Sequence, residues 1–425
     1  MKKGLTGLVA LSLSVVALAG CNNTGSGSGQ GSGEGSGIKV GLICVEGENS
    51  TYDKNFIDGF KAAAEKKGVT PIIKTDIPEG DKAYEAAADL ADNGCKFVFA
   101  DSFGHETYIL KAAKEFPNVQ FSHATGTHAH TEKLANFHNA FASIYEGRYL
   151  AGVAAGLKLQ AMIAADAKTS HNIGYVGAFT YAEVISGYTS YYLGVKSVVS
   201  DVAMDVTFTG SWYDETAEKN AANDLINTHK CSIISQHADS WGAPKACEAA
   251  GVPDVTYNGS TESQCPNTYL ISSRINWEPY FEYAFDAVKN GTKIDEDWSG
   301  DLGSTLYDGS IELTAPGKKA AVDGTEAKLN EVAGKLRDHS LRVFDTSKFT
   351  VTKTDKTNVN ATVDSDGHLT KYMADVDTDA NYAGDHDAIK TEGGITFFDE
   401  SSLRSAPYFD VQIDGITLLN AKYGD

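Results

Sequence analysis

Two five-residue stretches of this 425-residue chain carry the same chemistry: "ADSFG" at 100–104 and "ADSWG" at 238–242. Each sets a carboxylate (Asp101, Asp239) beside a hydroxyl (Ser102, Ser240) and an aromatic ring (Phe103, Trp241). A carboxylate accepts hydrogen bonds and an aromatic face stacks on a flat ring. Such a set suits a planar, hydrogen-bonding ligand. It equally suits a plain helix start, because Asp and Ser are favoured caps and Gly permits the tight turn.

Similar groups gather at other junctions between a predicted strand and a predicted helix. "NSTYDKNF" brings Tyr52, Asp53, Asn55 and Phe56, and "GAFTYAE" brings Phe179 and Tyr181. "TGSWYDE" adds Trp212 and Tyr213, and Gln236 and His237 precede Asp239. "YNGSTES" supplies Asn258, and "SSRINWEPYF" supplies Arg274, Asn276 and Trp277. Rings, amides and carboxylates with few cations fit a neutral flat ligand such as a purine or nucleoside. They do not fit phosphates or long apolar chains. The chain has no G-x-S-x-G elbow, no P-loop and no H-E-x-x-H, so binding without catalysis is expected. His123, His128, His130 and His138 fall within "SHATGTHAHTEKLANFHN". They could hold a metal or form a polar loop. The latter is expected, with no metal and no cofactor.

The elements that must position these residues repeat. In the first copy "IKVGLICV", "VTPIIKT", "KFVFA" and "VQFSHA" read as buried strands. Between them "YDKNFIDGFKAAAEKKG", "DKAYEAAADLADNG" and "HETYILKAAKEF" read as helices, two of them closed by Gly. The second copy runs in the same order: "NIGYVGAF", helix, "DVTFTGS", helix, "CSIISQHA", helix, "DVTYNG". Asp101 and Asp239 stand 138 residues apart, Cys95 and Cys231 136, Ile38 and Ile173 135. This predicts two α/β lobes of one plan, each a doubly wound parallel sheet. The expected division is an N-terminal lobe at 38–171, a C-terminal lobe at 172–272, and a crossover helix at 273–300 returning to the first lobe. An acidic β-rich segment at 301–425, with a hairpin turn at "DSDG", is expected to pack on the second lobe. Ligands of open α/β sheets bind beyond the carboxyl ends of the strands. If the lobes face each other across a hinge, the two pentapeptides line opposite walls of one cleft.

The net charge of −21 argues against nucleic acid and against a polybasic membrane surface. "MKKGLTGLVALSLSVVALAGC" (1–21) has two lysines, an uncharged apolar run and small residues before Cys21. It reads as a signal peptide ending in a lipobox, with Cys21 taking a lipid. The Gly/Ser-rich stretch 22–37 reads as a flexible tether. Without Cys21, five cysteines remain. Cys44, Cys95 and Cys231 read as buried thiols, and a Cys247–Cys265 disulfide is left open.

The lipobox, the duplicated lobes, "YDKNFIDGFKAA", "NFHNAFASIYEGRYLAGVAAG", "TFTGSWYDETAEKNAANDLI" and "ISQHADSWGAPKACEAAGV" together resemble the basic membrane protein family of lipoproteins. "LRSAPYFDVQIDGI" (403–416) looks like the C-terminal end of some members. The resemblance implies a type I periplasmic-binding-protein fold and a monomeric substrate-binding component of an ABC importer. Its partners would be a purine base or nucleoside, a permease, and the membrane through the lipid. It implies a site at Asn55, Phe56, Asp101, Ser102, Phe103, Phe179, Trp212, Gln236, Asp239, Ser240 and Trp277. Asn258 stands near the place where nucleoside binders carry an Asp for ribose, which tilts the expectation toward a free base. A surface enzyme acting on nucleosides, a tethered sensor or adhesin, and a metal-binding lipoprotein are the alternatives.

Overall fold

The computed structural model describes residues 37–299, 308–353, 358–376 and 386–420. The signal-peptide and lipobox readings, Cys21 among them, and residues 22–36 of the tether lie outside the described residues. So do parts of 301–425.

The first lobe runs β1 (Lys39–Ile43), α1 (Thr51–Lys67), β2 (Thr70–Lys74), α2 (Asp81–Asp92), β3 (Cys95–Ala100), α3 (Glu106–Glu115), β4 (Gln120–Ala124), α4 (Ala129–Glu132) and β5 (Phe137–Ala140). Next come α5 (Ile144–Ala165), β6 (Asn172–Gly177), α6 (Ala182–Lys196), β7 (Ala203–Phe208), α7 (Glu215–Asn227), β8 (Ile234–Gln236), α8 (Gly242–Ala250), β9 (Asp254–Tyr257) and β10 (Tyr269–Ile275). The chain then recrosses through α9 (Glu278–Asn290) to β11 (Asp297–Trp298).

The first sheet has the order β2-β1-β3-β4-β5-β11, all parallel. The second has β7-β6-β8-β9-β10 in the same arrangement, also parallel. In each, the first strand of the lobe lies between the second and the third. The strand order therefore reverses there, and a crevice opens at the carboxyl ends. "ADSFG" follows β3 and "ADSWG" follows β8, which places them at equivalent edges of the two sheets.

Local signals explain the helices. Ser50 caps α1 by accepting from Asp53 N, and Gly68 ends it at φ 65°, in the left-handed region where a Cβ is penalised. α9 packs on α1, with Phe60 edge-on to Phe281 at 5.0 Å and to Phe285 at 5.2 Å. The predicted crossover helix thus covers the first sheet. α5, placed with the first lobe at 38–171 from sequence, packs along α6 and β10 of the second. It is buried nearly all round its first four turns, so its own pattern does not tell which sheet it covers. α5 and α6 meet backbone to backbone. A Cβ on Gly152 would stand 2.1 Å from the Tyr191 carbonyl oxygen, and one on Gly194 2.1 Å from that of Tyr149.

The C-terminal segment contributes β12 (Ile311–Leu313), α10 (Thr325–Arg337), β13 (Ala361–Val363), β14 (Leu369–Ala374), β15 (His386–Asp387), β16 (Ile389–Glu392), β17 (Ile395–Phe398) and β18 (Ile416–Leu418). β12 pairs antiparallel with β10 and β18 pairs parallel with β7, so the segment extends the second sheet at both edges. β13 and β14 form the hairpin around "DSDG", with Gly367 at φ 86°. The segment is not confined to the second lobe. Ser405 N donates to Asp297 Oδ1 at 2.6 Å and Ser299 Oγ to Ser401 O at 3.2 Å, beside the edge strand of the first sheet. Cys44, Cys95, Cys231, Cys247 and Cys265 are all free and buried.

Asp254, which opens β9, is fully buried, and neither carboxyl oxygen bonds a described residue. Burial pushes it up to about 8. The unfolded group would ionise near pH 4, so the folded chain holds a proton that the unfolded chain releases above that pH. The stability this group lends is fully present below about pH 4 and is lost as pH rises toward 8. In urea unfolding, wild type should therefore lose stability relative to Asp254→Asn between pH 5 and 8, by up to about 1.4 kcal/mol per unit. A difference that stays flat with pH would show that the carboxyl is ionised in the fold.

Candidate functional site

A pocket lies between the lobes at the carboxyl ends of both sheets. The first lobe gives Val45 and Tyr52 from the β1–α1 connection, Ser102 and Phe103 after β3, and Thr125 and Thr127 after β4. The second gives Tyr181 and Glu183 where α6 begins, Trp212 after β7, His237 and Asp239 after β8, and Tyr257 at the end of β9. The C-terminal segment supplies a third wall with Asp375, Arg404, Ala406, Pro407, Tyr408 and Asp410.

Aromatic rings set the shape. Phe103 stacks on Tyr181 across the cleft, centroids 4.6 Å apart and planes at 29°. Tyr181 continues into a row with Phe179 (5.4 Å) and Trp212 (6.0 Å), and Phe179 meets Trp212 edge-on at 5.0 Å. A backbone contact also joins the lobes, for Thr51 N donates to Asp239 O at 3.3 Å.

The polar groups are ordered behind the rings. His237 Nε2 lies 2.8 Å from Glu183 Oε1, and His237 Nδ1 lies 3.2 Å from Tyr175 Oη. Tyr175 in turn accepts from Arg148, which is fully buried and rests over the Tyr257 ring at 4.7 Å. Asp239 is only 7% exposed, and its carboxyl makes no hydrogen bond to a described residue. Burial, then the charges of Asp53, Glu218, Glu183 and Glu46, push it well above the carboxylate range. Below the turn, Glu218 accepts from Ser240 N (3.3 Å) and Asp214 N (3.2 Å), and burial pushes it up to about 7.

Of the site residues expected from sequence, Ser102, Phe103, Trp212 and Asp239 line this pocket, together with the junction residues Tyr52, Tyr181 and His237. The others sit elsewhere. Phe56 and Trp277 stack on each other at 4.3 Å inside the core between α1 and the start of α9, both essentially without exposure. Asn55 donates to the Ile275 carbonyl. Asp101 is buried beneath the pocket, accepting from Val45 N at 3.1 Å. Phe179 stands in the aromatic row behind the lining. Gln236 Nε2 donates to Ala238 O and Ser240 O (2.8 and 3.1 Å), which stiffens the turn that presents Asp239. Ser240 Oγ accepts from Gly242 N as α8 begins (3.1 Å), and half-buried Trp241 stands at the N-cap of that helix. Asn258 is buried at the end of β9 with φ 65°.

The histidine loop folds around one carboxylate. Glu106 accepts from Thr127 N (2.7 Å), His128 N (2.9 Å) and Asn139 Nδ2 (3.1 Å), and its second oxygen lies 2.7 Å from His128 Nδ1. Against the upward push of burial, the His128 bond and the charges of His123 and His128 hold Glu106 at about 2. His123, His130 and His138 go separately to Ser102 O (2.6 Å), Asp297 (3.3 Å) and Gln120 (2.8 Å). Cys44, Asp53 and Asp101 do bring one ligand atom each within 4.8 Å of one another. Three of their four carboxylate oxygens already accept from Val45 N, Glu46 N and Ser50 Oγ. One oxygen and one thiol remain, short of the four ligands of a structural zinc site.

Sequence reasoning missed Glu183, Tyr257, Thr125, Thr127 and the whole third wall as site residues. The one available signal was "LRSAPYFDVQIDGI", which carries Arg404, Pro407, Tyr408 and Asp410.

The sequence profile of a family described as "ABC transporter substrate-binding protein PnrA-like" (Bmp) matches residues 46–333. The chain is 34% identical over 226 residues to a purine-binding protein of Brucella abortus, covering 53% of this chain and 60% of that one. It is 27% identical over 257 residues to the ABC transporter nucleoside-binding protein BmpA of Lactococcus lactis, covering 59% and 69%. The chain thus spans three-fifths of the first relative's length and about seven-tenths of the second's. In fold it is similar to an ABC transporter solute-binding protein from Aeropyrum pernix, with TM-score 0.59, 18% identity, and coverage of 75% and 94%.

The rings of Phe103 and Tyr181 clasp the lobes, and a stacked pair adds about 0.5–1.5 kcal/mol beyond its buried area. Phe103→Ala should therefore raise the open population several-fold, seen as a larger radius of gyration in small-angle scattering of the ligand-free protein. An unchanged radius would show that this contact does not hold the lobes together.

Proposed function

Since the chain belongs to the Bmp family of PnrA-like ABC transporter substrate-binding proteins, we propose that it captures a purine base or nucleoside between its lobes and hands it to an ABC importer. The observation that carries this reading is the lining of the pocket. Tyr52 and Phe103 from one lobe face Tyr181, Trp212 and Tyr257 from the other, around the carboxyl of a nearly buried Asp239 that has no hydrogen-bond partner among the described residues. A planar ring slots between aromatic faces and its N–H edge satisfies the acceptor. The names of the two relatives support the same class of ligand. Such proteins bind and release without chemistry, so the chain is not an enzyme.

The anchoring half of the proposal rests on the sequence of 1–21. Lipid on Cys21 would hold the protein outside the cytoplasmic membrane, close to a permease. No helix among the described residues is long and apolar enough to cross a membrane. Cys21→Ser should move the protein from the membrane fraction to the soluble extracytoplasmic fraction. Continued sedimentation with membranes would overturn the anchor.

Calorimetric titration of refolded protein with adenine, adenosine, guanosine, inosine and ribose tests the ligand. A purine should bind, and Trp212→Ala should weaken it about tenfold or more, as expected for a buried aromatic anchor. Trp277→Ala, which empties the core, should instead lower stability by about 3–5 kcal/mol. Heat from ribose alone, or from no member of the set, would overturn the purine reading.

A further inference from the structure

The charge of the pocket points to the charge of its ligand. Glu183, Asp239, Asp375 and Asp410 line it, against the single guanidinium of Arg404 and the His237 ring. Arg404 already donates through Nε to Ala406 O (3.1 Å) and through Nη2 to Pro407 O (2.9 Å). Glu183 has His237 at 2.8 Å, while the Asp239 carboxyl has no hydrogen-bond partner among the described residues. Burial without a partner charge holds this carboxyl well above the usual carboxylate range, so the empty cleft disfavours its ionised form, and a cation set against it is what favours that form. Around it stand Tyr181, Trp212 and Tyr257, whose ring faces attract cations. The whole chain, at −21, draws cations toward the cleft. Asp375, Arg404 and Asp410 stand beyond residue 333, where the match to the family profile ends.

We infer that the cleft selects a ring that carries a positive charge, such as a protonated or ring-N-alkylated purine, with Asp239 as its counter-charge and the aromatic faces against its π-system. This rests on the reading of the cleft as a purine site and narrows it. A neutral purine leaves the carboxylate with hydrogen bonds alone. A cation adds the Coulombic partner in a site largely shut off from water, where such pairs gain most.

Two isomers separate charge from size. 1-Methyladenosine is a cation at neutral pH, and N6-methyladenosine has the same atoms and is neutral. In titration of the refolded full chain at pH 7, the cation should bind about tenfold tighter or more. Asp239→Asn should shrink that preference to about twofold or less while N6-methyladenosine still binds. Equal binding of the isomers, or tighter binding of the neutral one, would overturn charge selection and leave the purine reading standing. Binding of thiamine, a cationic ring that is not a purine, with neither isomer bound would overturn the selection of a charged purine, and would overturn the purine reading too if no unmodified purine binds. No binding by any of the three would overturn charge selection, and the purine reading then rests on the titration with the unmodified purines. The wild-type comparison of isomers decides the matter even if the variant does not fold.

Discussion

Two carboxylates stand at equivalent edges of the two lobes, and the site follows from which way each is turned. Asp101 and Asp239 hold the same place in the two copies of one pentapeptide, after the third strand of each lobe. Asp101 turns back into its own lobe, where Val45 N meets one oxygen and Cys44 and Asp53 lie close by. Asp239 faces the cleft and finds no donor among the described residues. The aromatic residues divide the opposite way. Phe103 reaches across the cleft to Tyr181, and Trp241 stays outside at the start of α8. The duplication thus provides equivalent positions, and the lobes use them for different purposes: one contributes the ring, the other the charge.

Positioning of Asp239 depends on parts that never touch the pocket. Gln236 pins the turn from within, and Glu218 holds its amides from below. The turn's own backbone reaches Trp212 on one side and Thr51 of the other lobe on the other. The buried Arg148, Tyr175 and His237 line up behind Glu183. The third wall is set by the C-terminal segment. That segment extends both edges of the second sheet and bonds the edge strand region of the first, so residues 404–410 are held against the cleft from both lobes.

Much of this was legible in the residues. Alternating apolar runs and capped helices gave the two-lobe plan, because burial periodicity and turn chemistry are local properties. The strand-to-helix junctions led to Phe103, Trp212 and Asp239, because parallel sheets present those junctions at one edge. The same rule admitted Phe56, Asn55 and Trp277, which stand at junctions of the same kind and turn into the core. A side chain's direction after a strand is set by which helix packs over it, here α9 over α1. The ownership of α5 was equally out of reach, since a helix apolar on all sides fits either lobe.

The sequence by itself determined the repeat, the parallel sheets, the absence of catalytic motifs and the acidic balance, all of which are carried by neighbours in the chain. Only the tertiary structure decided which of two chemically matched motifs presents its carboxylate and which its ring. It alone brought Asp375 and residues 404–410 to a cleft built by residues 45–257. Contacts between such distant segments depend on how the lobes and the added strands dock. The energy of that docking lies in shape and burial, which no short stretch of sequence encodes.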